Sequence, residues 1–186
     1  MKIPNHFIAF KIYDAVIRQR IADVQKKIIE KNPLLNKALI DVRTLHVTLA
    51  VTHLENEERI KELQERLQDW GEKDMKAYFA EPIHLTFKGI VNNLLSNSGF
   101  YAQDKKFTPH LTLLKLSKNY KLFKKNKDVA SDIEDLKDCR DYFGCQDVRD
   151  IQLLSMLAKK DDNGYYKCLW EQQTGAPPES TVDSAE

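Results

Sequence analysis

The sequence predicts a mixed α/β domain, and three observations lead there. Segments rich in β-formers alternate with amphipathic helical stripes, the chain closes on a hairpin, and each half holds a strand bearing a His-x-Thr pair. At 186 residues the chain suits one domain, or at most two small lobes sharing a core. Hydrophobic residues make up 42% and charged residues 31%, enough apolar surface to exclude a disordered chain.

Residues 6–13 (HFIAFKIY) read as a strand. Asp14 caps a helix whose Ile17, Ile21, Val24 and Ile28 share one stripe, and Asn32-Pro33 ends it. Residues 44–54 alternate, with Leu45, Val47, Leu49 and Val51 on one face and His46, Thr48, Ala50 and Thr52 on the other. Asn56 opens a second helix with Ile60, Leu63, Leu67 and Trp70 as its buried stripe, and Gly71 stops it. Residues 82–90 and 108–116 are further strands with loop or hairpin between them. Ser131, Ile133, Leu136, Arg140 and Phe143 predict one more helix. Residues 150–158 and 164–170 form the closing hairpin through Asp161-Asp162-Asn163-Gly164. The domain is expected over residues 1–172, with 173–186 a disordered tail.

Lys and Arg total 29 against 28 Asp and Glu, so a net charge of +1 gives no general reason to expect a nucleic-acid coat or membrane-surface sheath, and any polyanion site must be read locally. Cys139, Cys145 and Cys168 are an odd set without a C-x-x-C pair, which supports neither a disulfide framework nor a zinc ribbon. Residues 1–13 lack the unbroken apolar stretch of a signal peptide or membrane span. A soluble, cytoplasmic monomer is expected.

Three His-x-Thr pairs stand out: His46-Val47-Thr48, His84-Leu85-Thr86 and His110-Leu111-Thr112. With 5 His and 8 Thr in the chain, random placement gives about 0.2 such pairs. Residues two apart on a strand share a face, so each pair offers an imidazole beside a hydroxyl. A hydroxyl donates to a phosphate oxygen, and an imidazole accepts or donates a proton near neutrality. Two pairs facing one cleft would supply a base and an acid without a metal. A single such pair is more often an ordinary strand feature, since Thr is a β-former.

The pairs resemble the duplicated signature of the 2H phosphoesterase (LigT-like) superfamily. Pro4-Asn5-His6-Phe7, His46-Val47-Thr48-Leu49, Phe107-Thr108-Pro109-His110-Leu111-Thr112-Leu113 with Leu116-Ser117-Lys118, Ser155-Met156-Leu157 and Asn163-Gly164-Tyr165-Tyr166-Lys167-Cys168 narrow the likeness. They are similar to the branch formed by the central phosphodiesterase domain of A-kinase anchoring proteins and by viral 2′,5′-phosphodiesterases. The resemblance implies a bilobal, pseudo-twofold fold with two antiparallel-rich sheets around a central cleft and helices outside. It implies a metal-independent, cofactor-free 2′,5′-phosphodiesterase that cleaves 2′,5′-oligoadenylate to AMP-like products and antagonises the OAS/RNase L antiviral pathway, a form of viral immune evasion.

In that pattern His46 and His110 are the catalytic pair, and Thr48 and Thr112 hold the phosphate. His84 matches a family strand ending in Gly89-Ile90 where no catalytic residue is expected. His6 and His53 are structural or solvent-facing. Phe107, Tyr165 and Tyr166 are candidate stacking surfaces for bases, with strand alternation letting only one of the two tyrosines face the cleft. Lys115 and Lys118 add local positive field, while Lys121, Lys124, Lys125 and Lys127 read as a solvated face.

Two features depart from the relatives. Only residues 91–106 separate Ile90 from Phe107, where relatives place a strand and a full helix. The segment after Thr174 has no apolar stripe, so a protein kinase A anchoring helix is not expected. Two other activities stay open: an RNA-end phosphodiesterase acting on 3′,5′ or cyclic phosphates, and a nucleotide-binding module without turnover.

Overall fold

The computed structural model describes residues 2–75, 83–88, 110–115 and 142–174. Strand β1 (His6–Lys11) leads to helix α1 (Ala15–Lys31), and β2 (His46–Thr52) follows two short 3-10 turns, Pro33–Ala38 and Val42–Thr44. Helix α2 (Glu57–Trp70), β3 (His84–Lys88), β4 (Tyr142–Asp147), β5 (Asp150–Ser155) and β6 (Lys167–Gln173) complete the described elements. The antiparallel strands form a four-stranded sheet in the order β2-β1-β5-β6 and a two-stranded sheet of β3 and β4. The mixed α/β class with two antiparallel sheets is the one predicted.

Local chemistry sets the helix ends. The Asp14 carboxylate accepts from the Ile17 N–H at 2.7 Å, and the Asn32 N–H closes the last turn on the Ile28 carbonyl at 2.9 Å. The α1 stripe of Ile17, Ile21, Val24 and Ile28 is buried against Phe10, Val47, Ile151, Leu153 and Trp170, which makes the main core. Helix α2 is placed more loosely. Its stripe is half-buried rather than buried, and it docks at β6, where the Trp170 indole N–H donates to Gln68 at 3.1 Å. Gly71 does not stop it: the residue is α-helical, and the chain winds on as a π turn over Gly71–Met75. A Cβ there would stand 2.8 Å from Gln172 Oε1, so a larger residue would have to displace that side chain.

One irregularity in β2 corrects the expected alternation. Ala50 pairs with Ile8 and Thr48 with Ala9, so Leu49 is an extra residue in a β-bulge. Cross-strand partners share a face. Upstream of the bulge Leu45 and Val47, both 1% exposed, point into the main core as predicted. Downstream, Val51 pairs with Phe7 and so turns onto the face of His46 and Thr48, where it is 46% exposed.

Other boundaries also move. Phe143, read as helical, lies in β4, a strand the sequence reading missed, and residues 131–141 fall outside the described residues. The expected strand at 108–116 is described only over 110–115, where a single bridge joins Leu114 to Leu39. Gln173 closes β6, and Thr174 is 6% exposed with its N–H on the Arg149 carbonyl and its hydroxyl on the Val148 carbonyl. The sheet therefore reaches past the boundary drawn at 172. Phe107, Lys118, the lysines at 121–127, Cys139 and the tail from 175 lie outside the described residues. No described helix is long and apolar enough to cross a membrane.

Gly144 ties the second sheet to α1. Its φ is +134°, and a Cβ would stand 2.7 Å from Ile17 Cγ1 in the core. Gly144→Ala combines backbone strain with overpacking and is expected to lower stability by about 2–3 kcal/mol. A urea titration checks it; an unchanged midpoint would remove this packing argument.

Candidate active site

The site is built on the sheet face opposite α1. Pairing puts Phe7, Ala9 and Lys11 of β1, His46 and Thr48 of β2, Gln152 and Leu154 of β5, and Cys168 of β6 on that face. Phe7, Ala9, Leu154 and Tyr165 form a second, smaller core there, with Tyr166 and Cys168 packed against it. Its apolar side chains give His46 a dry flank.

His46 is held in a defined tautomer. Its Nδ1 lies 2.7 Å from the Thr44 carbonyl oxygen, which can only accept, so Nδ1 carries the hydrogen and Nε2 keeps its lone pair. Thr44 is itself fixed, its hydroxyl donating to the Asp41 carbonyl at 2.7 Å. The Phe7 ring lies 4.7 Å from the imidazole, and Tyr166 meets it edge-on at 5.5 Å and 90°. Burial pushes the imidazole below its usual pKa; the Thr44 carbonyl opposes this, and the charges of His110 and Lys115 push it further down.

The second motif reaches the site through the chain just before the first. The Lys115 N–H donates to the Ala38 carbonyl at 2.8 Å, and the Ile40 N–H donates to the Leu113 carbonyl at 3.0 Å. The Gln25 amide, buried on α1, donates to the carbonyls of both Ile40 and Leu113. Leu111 and Leu113 pack on the main core while His110 and Thr112 are exposed, so the second motif repeats the alternation of the first. The structure thus brings His46, His110 and Lys115 into one electrostatic neighbourhood, with Thr48 on the His46 face.

The two tyrosines do not divide by strand alternation: both precede β6, and their rings stand 5.8 Å apart in the same cluster. Tyr166 sits beside His46, whereas Tyr165 is 3% exposed inside the smaller core, with the Lys11 ammonium 4.2 Å from its ring centroid. His84 is exposed on β3, its Nδ1 2.7 Å from Asp147 Oδ1. His6 is buried, with Nδ1 2.7 Å from Asn5 Oδ1, and burial lowers its pKa with His53 adding to the effect. His53 is exposed, its Nδ1 on the Ile3 carbonyl at 2.6 Å. Burial pushes the Cys168 thiol up to about 11, so it stays protonated at neutral pH and makes a poor nucleophile. Sequence reasoning missed Phe7 and Thr44. Phe7 carries a signal only once the register of β1 on β2 is known, and Thr44 acts through its backbone, which side-chain identity does not mark.

The chain matches the AKAP7 2'5' RNA ligase-like domain family in two stretches, residues 4–93 and 90–173. They meet at the start of the short segment 91–106, where relatives were expected to hold more chain. Human A-kinase anchor protein 7 isoform gamma is 30% identical over 218 residues, covering 96% of this chain and 61% of that protein. Among solved structures, E. coli LigT complexed with ATP superposes with a TM-score of 0.56 at 17% identity, covering 92% of this chain and 98% of LigT. LigT complexed with 3'-AMP gives 0.54 at 16% identity, covering 94% and 100%. The paired motifs, the two sheets and these matches agree: the chain belongs to the AKAP7 2'5' RNA ligase-like domain family and has the fold of LigT, a 2H phosphoesterase.

Proposed function

We propose that the protein is a phosphodiesterase that cleaves 2′,5′-linked oligoadenylate, with His46 as general base and His110 as general acid. The observation that carries this is the state of His46. A half-buried imidazole with Nδ1–H spent on a carbonyl and its pKa lowered by burial is neutral near pH 7 and presents one basic nitrogen, Nε2. In a 2′,5′ linkage the neighbouring 3′-hydroxyl attacks phosphorus. His46 takes its proton, the bond to the 5′-oxygen breaks, and His110 protonates the leaving oxygen. The products are a 2′,3′-cyclic phosphate and a free 5′-hydroxyl.

Thr48 and Thr112 donate to the non-bridging oxygens as their charge grows. Such placed donors contribute about 2–4 kcal/mol each where water is excluded. Tyr166 offers an aromatic face beside the reacting phosphorus for a base, and Lys115 supplies positive field from the second motif. The human relative's family and LigT, solved with 3'-AMP and with ATP, support a nucleotide substrate. Consuming 2′,5′-oligoadenylate withholds the activator of RNase L, so on this reading the enzyme antagonises that antiviral pathway.

The test is incubation with 2′,5′-linked and 3′,5′-linked triadenylate in the presence of chelator, with product analysis. Cleavage of the first alone to a cyclic phosphate is expected. Cleavage of the second would instead assign an RNA-end enzyme, and binding without cleavage a nucleotide-binding module.

A further inference from the structure

The hairpin between β5 and β6 brings cationic groups to the edge of the site. The Lys160 ammonium stands 5.4 Å from the Tyr166 ring centroid, and that ring meets His46 edge-on at 5.5 Å. One aromatic ring thus separates Lys160 from the proposed base. Arg43, three residues before His46, lies against the same hairpin. A Cβ on Gly164 would stand 2.8 Å from its guanidinium carbon, which places the two in close approach, and the φ of +79° there favours glycine.

Asp41 orients the guanidinium, accepting from Arg43 Nε at 3.0 Å and Nη2 at 2.6 Å. Its carboxyl is held below the usual range first by Arg43, and it also feels the charge of Lys160. Lys160, Arg43 and Asp41 are therefore one cluster, and its positive members outnumber its carboxylate. Of the two acidic residues in the hairpin, Asp161 is committed to the Tyr165 N–H at 2.7 Å. Lys115 lies on the other motif, its charge also felt at His46. Cations from two separate segments thus lie near His46, although the whole chain carries only +1.

We infer that Lys160, backed by Arg43, forms a second phosphate subsite next to the scissile one, so that the substrate is an oligonucleotide carrying a further phosphate. This rests on the phosphodiesterase reading and adds the residues that hold the substrate's next phosphate. A chain bound with one phosphorus at His46 presents its neighbouring phosphate one nucleotide away, and an ammonium on an aromatic face at that remove meets it by Coulomb attraction. A cyclic mononucleotide has no second phosphate to offer.

The experiment compares 2′,5′-linked diadenylate with and without a 5′-phosphate, using wild-type protein, Lys160→Ala, Lys160→Arg and the neighbouring Lys159→Ala. On the phosphorylated dimer Lys160→Ala is expected to raise KM roughly 3- to 10-fold with kcat unchanged. On the plain dimer it changes KM less than about twofold, while Lys160→Arg and Lys159→Ala behave as wild type on both. Equal effects on the two dimers, or the same loss in Lys159→Ala, would overturn the subsite while leaving the phosphodiesterase reading intact. Failure of the wild-type protein to cleave either dimer brings down that reading and the subsite with it.

Discussion

Replacing His46 or His110 by Ala is expected to lower kcat/KM on 2′,5′-linked triadenylate at least about 100-fold, the lower end of what a positioned acid or base contributes. Thr48→Ala and Thr112→Ala lose less, because each leaves the proton transfers in place. His110 is exposed and Thr112 with it, so substitution there leaves the core intact. His46→Ala removes a ring from the contacts of Phe7 and Tyr166, so a thermal melt accompanies its kinetics. The pH profile gives a second check with a definite sign. Burial depresses the His46 pKa, so activity should rise with pH through a midpoint below about 6.5 as the base deprotonates. Near-normal turnover by His110→Ala, or a pH profile with no acidic limb, would dismantle the two-histidine assignment.

Asp150→Asn is expected to flatten the pH dependence of stability near neutrality. Asp150 is 3% exposed at the start of β5, where the Tyr13 hydroxyl donates to one carboxyl oxygen and the other has no hydrogen-bond partner among the described residues. Burial pushes its pKa up to about 7, Glu171 adds to this and Lys11 opposes it. The folded state therefore holds a proton that the unfolded chain releases near 3.8. This contribution is fully present below pH 4 and is lost as pH rises through 7, amounting to at most about 4 kcal/mol. The Asn side chain keeps an acceptor for Tyr13 and never ionises. Melts at pH 5 and pH 8 should show the variant gaining on wild type at the higher pH; a constant difference would mean that Asp150 does not titrate in this window.

The first half of the fold was legible because its signals are local. Asp14, the isoleucine stripe and Asn32-Pro33 bound α1 by capping and periodicity alone, and the Asn163-Gly164 turn marks the closing hairpin. The helix assigned to Phe143 failed for the opposite reason: β4 is a short strand defined by its partner β3, and Gly144 belongs there because Ile17 leaves no space, which only tertiary packing reveals. The site divides the same way. His46, Thr48, His110 and Thr112 announce themselves by type and spacing. The Thr44 carbonyl that sets the tautomer, and the Phe7 ring that dries the flank, depend on register and carry no signature of their own.

The slip at Leu49 has a bearing on how such a chain tolerates change. Upstream of it, the inward positions of β2 answer to the helix layer, and little besides compact aliphatic groups fits. Past the slip the parity of the strand reverses, and Val51 faces away from the helix layer, beside Phe7. Substitution at that downstream position, 46% exposed, therefore weighs less on the core than substitution at Leu45 or Val47, each 1% exposed.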